Sequence, residues 1–380
     1  INPQHTQSPP INVERLHDNA AAHRTDQDSS TTLNILQSLV STLSNQINQP
    51  GQPQYQQQTS QYYTQLLKAL EESEVNSFSP TWRQVLDEIG ASRVTGENLA
   101  ALVRATFAQN QITPSVAQQE LQAYFNELQQ LSTGIDQTLA GLRALKIGSE
   151  DLDPGECELG VLVPRAFLDN RLDRFASELD ELNQIFGVFS EVASGSRPGF
   201  EIKTISSTDL SVYLEVAAIV GACIATCVER IVALYKQLLE IRKTQAELAK
   251  LGVEKKNLKG LEDHANGVME NGIEKLVKEI MAEYMPKGEA GRKNELSIEL
   301  KFAMKKIANR IDRGFNIEVR MEEPDIESGN PEDATADEKA LITAHAKVSE
   351  ASENLQFLKL DGEPILQLAE SKGTKSRGEA

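Results

Sequence analysis

Residues 215–230 read EVAAIVGACIATCVER, the most apolar passage of the chain. Its interpretation decides between a membrane anchor, a cysteine site and a core helix. Thirteen uncharged residues lie between Glu215 and Glu229, about 20 Å of helix against the roughly 30 Å of a bilayer core. The passage is too short to span. Ala217, Gly221 and Ala225 fall four apart, and Ala218, Ala222 and Thr226 form a second small-residue ridge, so another backbone can approach closely. In water this pattern describes a helix buried on nearly all sides. Cys223 and Cys227 would point their sulfurs the same way. A structural zinc needs four ligands, however, and neither Cys157 nor His5, His17, His23, His264 or His345 stands at a pairing spacing from them. The cysteines read as small buried hydrophobes, and no metal or cofactor is expected.

On the N-terminal side of this helix, the apolar run Leu159 to Val163, closed by Pro164, reads as a buried strand. Leu168, Leu172, Phe175, Leu179, Leu182, Phe186 and Phe189 then alternate four and three apart, a single helical seam. The loop SGSRPG ends it, and FEIKTISS follows as a second strand. Strand, helix, strand predicts a parallel crossover. Ser207, Thr208 and Asp209 read as N-caps of a helix running to about Leu251, a rod on the order of 60 Å. Its distal seam, Ile231, Leu234, Leu238, Ile241 and Leu248 with Gln245 among them, predicts packing against the next helix, turning near Gly252, or against a partner chain. A further helix through Lys301 to Arg313 ends at Gly314, and FNIEVRM alternates as a third strand.

That crossover would bring Arg165, after the first strand, and Ser206, Ser207, Thr208 and Asp209, after the second, to strand carboxyl ends, where α/β sheets bind ligands. The hydroxyls and a helix N-terminus would hold an anion, with Arg165 supplying charge. Helix capping accounts for the same Ser, Thr and Asp residues without a ligand.

Towards the N-terminus the grammar is different. Residues 1 to 30 lack periodicity and read as a flexible tail, followed by a short amphipathic helix at Leu33, Leu36, Val40, Leu43 and Ile47 and a Gln-rich linker, PGQPQYQQQTSQYY. Ser79 before Pro80 and Thr113 before Pro114 mark two helix starts in a small bundle, with Trp82 in its core. The expected architecture is therefore helix-dominated α+β. It comprises residues 1–60 as tail, helix and linker, 61–150 as helical bundle, and 151–323 as an α/β unit with a small sheet and long helices. Residues 324–380 complete it as an acidic linker, a helix, a β-hairpin about Asp361 and Gly362, and a disordered end.

The 56 acidic against 38 basic residues give a formal net charge of -18, which repels a phosphate backbone or an anionic membrane. The basic faces KTQAELAKLGVEKKNLKG and Lys301, Lys305, Lys306, Arg310 and Arg313 read as solvated. Neither nucleic acid nor a membrane is an expected partner. Three cysteines and the absence of any Asn-x-Ser/Thr site suit a reducing cytoplasm. The acidic loop at Asp151, Asp153 and Glu156 fails the calcium-loop pattern, and no phosphate loop or Gly-x-Ser-x-Gly elbow occurs. The leading expectation is a non-enzymatic interaction or scaffold protein, an oligomeric assembly subunit joined to itself or another protein through its long helices. One alternative is an α/β domain for a small anionic or nucleotide-like ligand. A second is a membrane-associating or pore-forming protein using the 215–230 helix.

Overall fold

The computed structural model describes residues 13–145, 152–206, 210–251, 258–285, 290–326, 334–358, 360 and 362–371. The fold is helix-dominated α+β, and the chain divides into two compact units, Ile1–Asp151 and Leu152–Ala380.

Among the described residues, the regular elements of the N-terminal unit are all helices, chiefly α1 (Val13–Ser30), α2 (Thr32–Asn48), α3 (Pro53–Glu71), α4 (Pro80–Glu88), α5 (Gly96–Gln109) and α6 (Pro114–Ala144). Leu36, Leu39, Val40 and Leu43 of α2 meet Leu66 and Leu70 of α3, Leu99 and Val103 of α5, and Leu121 and Leu128 of α6 in one core. The Ser79 hydroxyl caps α4 by accepting from the Trp82 N–H at 3.3 Å. Thr113 precedes α6, but its hydroxyl donates to Asn110 Oδ1 at 3.3 Å instead of capping. Trp82 packs edge-to-face on Phe78, ring centroids 5.0 Å apart.

Two segments depart from the sequence expectation. Residues 13–30, read as tail, form α1, and the Gln-rich stretch read as linker begins α3. Glutamine is a good helix former, and Thr59, Leu66 and Leu70 give α3 a buried face. The buried face of α1 is polar, with Asn19, His23, Asp26 and Gln27 beside Ala20, so it carries no apolar period. Asp26 is well used, accepting from Ser73 Oγ at 2.9 Å and from the Glu74 N–H at 2.7 Å. The expected tail at residues 1–12 and the expected disordered end at 372–380 lie outside the described residues.

His23 is 1 % exposed, and burial lowers its imidazole pKa from 6.5 to about 4. The native state thus holds it neutral, whereas the unfolded chain takes up a proton as pH falls below 6.5. Stability of the N-terminal unit should be full above about pH 6.5 and fall by about 3 kcal/mol on the way to pH 4. Trp82, the single tryptophan, reports on this unit alone. Urea unfolding followed by its fluorescence should show that loss, and His23→Leu should flatten it; an unchanged slope would refute the assignment.

The C-terminal unit contains a four-stranded antiparallel sheet built from β1 (Cys157–Leu162), β2 (Glu201–Ile205), β3 (Ser211–Val216) and β4 (Asn316–Met321), in the order β2-β3-β1-β4. Around it are α7 (Leu172–Ser194), α8 (Ala218–Lys236), α9 (Leu239–Lys250), α10 (Lys259–Tyr284), α11 (Ala290–Asp312) and α12 (Ala336–Asn354). The expected parallel crossover is corrected. β1 and β2 do run the same way, but β3 lies between them and is antiparallel to both. SVYLEV, read as the start of a long helix, is β3, and its β-branched and aromatic residues suit a strand. The resulting strand order is that of a split β-α-β motif. Residues 362–371 contain no strand, so the hairpin expected about Gly362 does not form there; Asp361 lies outside the described residues.

α8 is the centre of this unit. Val220, Ala222, Cys223, Ile224, Cys227, Val228 and Ile231 are all buried, against α7, α10, α11, α12, β1 and β4. The expectation that it is too short to span is corrected: the helix runs on to Lys236 and is long and apolar enough to cross a membrane, yet these elements of its own chain pack around it. The expected rod is broken between Lys236 and Leu239. Its distal seam is met inside the chain: Leu234 packs against Gly272 of α10, and Gln245 donates to Glu262 Oε1 at 2.9 Å. The seam of α7 holds at Leu182, Phe186 and Phe189, while Leu172 at its first turn is 82 % exposed.

Gly221 brings α8 onto the sheet. A Cβ there would stand 2.2 Å from Cys157 Sγ and 3.2 Å from Val319 Cγ1. Helix propensity favours alanine over glycine by about 1 kcal/mol, but overpacking of about 1–3 kcal/mol should win, so Gly221→Ala is expected to destabilise. Adding Cys157→Ala should relieve it, and urea titrations of both variants test this. Ala225 is buried, whereas Ala217 is exposed at the N-cap of α8.

Candidate functional site

Of the residues proposed from sequence for an anion, Arg165 and Ser206 are among the described residues. Arg165 is exposed and donates to Asn170 Oδ1 at 3.2 Å. Ser206 is buried, with its N–H donating to the Ser211 carbonyl at 2.9 Å across the β2–β3 connection. Ser207, Thr208 and Asp209 lie outside the described residues. β3, not a helix, follows β2, so the helix N-terminus that motivated the anion reading is missing at this place. Burial raises the Cys227 thiol well above its ordinary range and pushes Cys157 up to about 12, so neither is a thiolate at neutral pH. Among the described residues, no three His, Cys, Asp or Glu side chains are placed to hold a metal ion.

A different constellation appears where α9, α10 and α11 meet the C-terminal residues 362–370. This stretch has no regular structure, yet Ile365, Leu366 and Leu368 are 1 %, 1 % and 4 % exposed. Buried backbone must find hydrogen-bond partners, and here side chains supply them. Arg242 of α9 donates from Nη2 to the Gly362 carbonyl at 2.7 Å. Asp312, the last residue of α11, accepts from the Leu366 N–H at 2.7 Å, and Asn266 of α10 accepts from the Gln367 N–H at 2.8 Å. Asn309 makes a two-point contact, accepting from the Leu368 N–H at 3.1 Å and donating to the Leu368 carbonyl at 3.0 Å. Its Nδ2 also reaches Glu370 Oε1 at 2.7 Å. We call this arrangement the clasp.

Three buried groups anchor it. Arg242 Nη1 donates to Asp312 Oδ1 at 2.8 Å and to Tyr235 Oη at 2.8 Å, and the Tyr235 hydroxyl donates to Asp312. Burial pushes the Asp312 carboxyl up, opposed by the Tyr235 hydroxyl, the Leu366 N–H and the Arg242 charge. Burial likewise raises the Tyr235 phenol, with the Asp312 charge adding to it. Gly362 turns the chain at φ +79°, and a Cβ there would meet Ala246 Cβ at 2.8 Å. The close approach of the chain at residue 362 to α9 therefore requires glycine.

No protein-family model matches the chain, and no curated protein or solved structure matches it either. Chemistry is thus read from geometry alone. The clasp contains a buried salt bridge, two amides and a tyrosine, all committed to one another or to backbone groups. That is the equipment for holding an extended peptide, in which main-chain bonds give affinity and apolar pockets give specificity.

Sequence reasoning missed these residues, although a signal existed. Arg242 directly follows Ile241 of the α9 seam, and Asn309 and Asp312 directly follow Ala308 and Ile311 on α11. Buried polar groups among core residues need partners and so point to a network. The basic face was also misread in part. Lys305 and Arg310 are each 5 % exposed and pair with Glu270 and Glu178.

Proposed function

We propose that this chain is a non-enzymatic interaction protein, an assembly subunit whose C-terminal unit holds an extended apolar segment of the pattern Ile-Leu-x-Leu. The observation that carries the reading is the clasp: four side chains from three helices are devoted to the main chain of residues 362–368. A groove that reads backbone in this way accepts the same segment from its own chain or from a second copy, and exchange between copies is a low-cost route to an oligomer. The edge strand β2 is a poorer joint. Its register is interrupted between Ile202 and Thr204, and Lys203 sits there, both of them devices that blunt strand edges.

Light scattering at micromolar concentration should give a multiple of 41.9 kDa, and excess peptide GEPILQLAES should lower that mass by competing for the clasp. A scrambled peptide should do nothing. A strict monomer that takes up no labelled peptide would count decisively against the proposal.

A further inference from the structure

The N-terminal unit holds a second candidate site, independent of the clasp. A pocket of about 310 Å³ opens between α2, α3, α5 and the start of α6, within the size range of small-ligand sites. Its lining contains no charged residue, in a chain that is 25 % charged. Tyr63 and Phe107 form an aromatic wall, edge-to-face with centroids 4.7 Å apart. Four amide side chains, Gln46, Gln56, Asn110 and Gln111, contribute to the rest.

Two lining residues carry polar atoms with unmet hydrogen bonds. Thr59 is 7 % exposed, and its hydroxyl has no partner; Gln46 Oε1 is likewise shut off from water and unpartnered. The threonine differs from many others in the helices of this protein. Seven other helical threonines, Thr25, Thr64, Thr133, Thr138, Thr226, Thr244 and Thr343, donate to the carbonyl four residues back. Thr59 does not. A buried polar group left unpaired is costly, and a ligand hydroxyl can offset that cost once a turn of the Thr59 rotamer brings the groups together.

We infer that this pocket binds a small uncharged polyhydroxylated ligand, of the size of a monosaccharide. The absence of cationic or anionic lining disfavours a charged ligand, which would lose hydration without gaining a partner. Amides and a hydroxyl both donate and accept, as sugar hydroxyls do, and the aromatic wall receives the apolar face of the ring. The Gln46 carbonyl asks specifically for a donor.

The test uses the full chain and saturation-transfer NMR with d-glucose, d-galactose and N-acetyl-d-glucosamine at millimolar concentration, with glucose 6-phosphate and adenosine as comparators. At least one neutral sugar should show transfer, and glucose 6-phosphate none. Thr59→Val removes the hydroxyl with little change of shape. Because that hydroxyl has no protein partner to lose, the variant should melt no lower than the parent while binding its sugar at least about tenfold more weakly. Binding of adenosine alone, equal binding of the phosphate, or no sugar transfer would overturn the inference. So would a Thr59→Val chain that keeps full affinity.

Discussion

Replacing Asp312 by alanine is expected to cost the C-terminal unit about 3–5 kcal/mol, the usual penalty for breaking a buried ion pair from one side. Asp312 is 0 % exposed and Arg242 5 %, so the guanidinium cannot turn to water when its partner is lost. The same substitution removes the acceptor of the Tyr235 O–H and of the Leu366 N–H, each of which donates to this carboxylate. Far-UV circular dichroism in urea should show the loss. A second readout is specific to the clasp: residues 362–370 should become sensitive to chymotrypsin, with cleavage after Leu366 or Leu368. The double variant Arg242→Met/Asp312→Leu should recover much of the global stability, since no charge is then stranded, but not the protease resistance. A loss of less than about 1 kcal/mol for the single variant would mean that the pair is not the anchor inferred here.

That dissociation between stability and protease resistance follows from how the site is made. Arg242 stands 120 residues before Gly362, and Asn309 stands 59 before Leu368. Each contact joins a side chain to a distant main-chain atom, and main-chain atoms carry no sequence signal. The helices behaved otherwise. Leu182, Phe186 and Phe189 of α7 are buried as their spacing predicts, because a helix repeats its core face every three or four residues. β3 was misread because Ser207, Thr208 and Asp209 look like helix caps and the six-residue SVYLEV is too short for its period to decide between strand and helix. α1 was misread because its buried face is polar; His23 and Gln27 are covered by tertiary surroundings that no local window contains. Gly221 was legible as a position where another backbone can approach closely, but the small-residue ridge does not say which one. The structure places it on Cys157, Val216 and Val319 of the sheet.

The second large effect is expected at Glu178 and Arg310, which join α7 to α11. Arg310 Nε donates to Glu178 Oε1 at 2.5 Å and Nη2 to Oε2 at 3.1 Å, a bidentate pair whose side chains are 6 % and 7 % exposed. The guanidinium also lies 6.0 Å from the centroid of Phe315. Glu178→Leu or Arg310→Met alone should each cost about 3–5 kcal/mol, because either leaves one buried charge without its counterion. Making both changes together should cost far less and could be stabilising, since two desolvated charges are then replaced by apolar side chains of similar length. A double-mutant cycle in urea measures the coupling directly. Two small, additive single effects would show instead that both side chains reach water, and the α7–α11 contact would then rest on its apolar residues and on the Lys306–Glu181 and Arg292–Glu191 pairs.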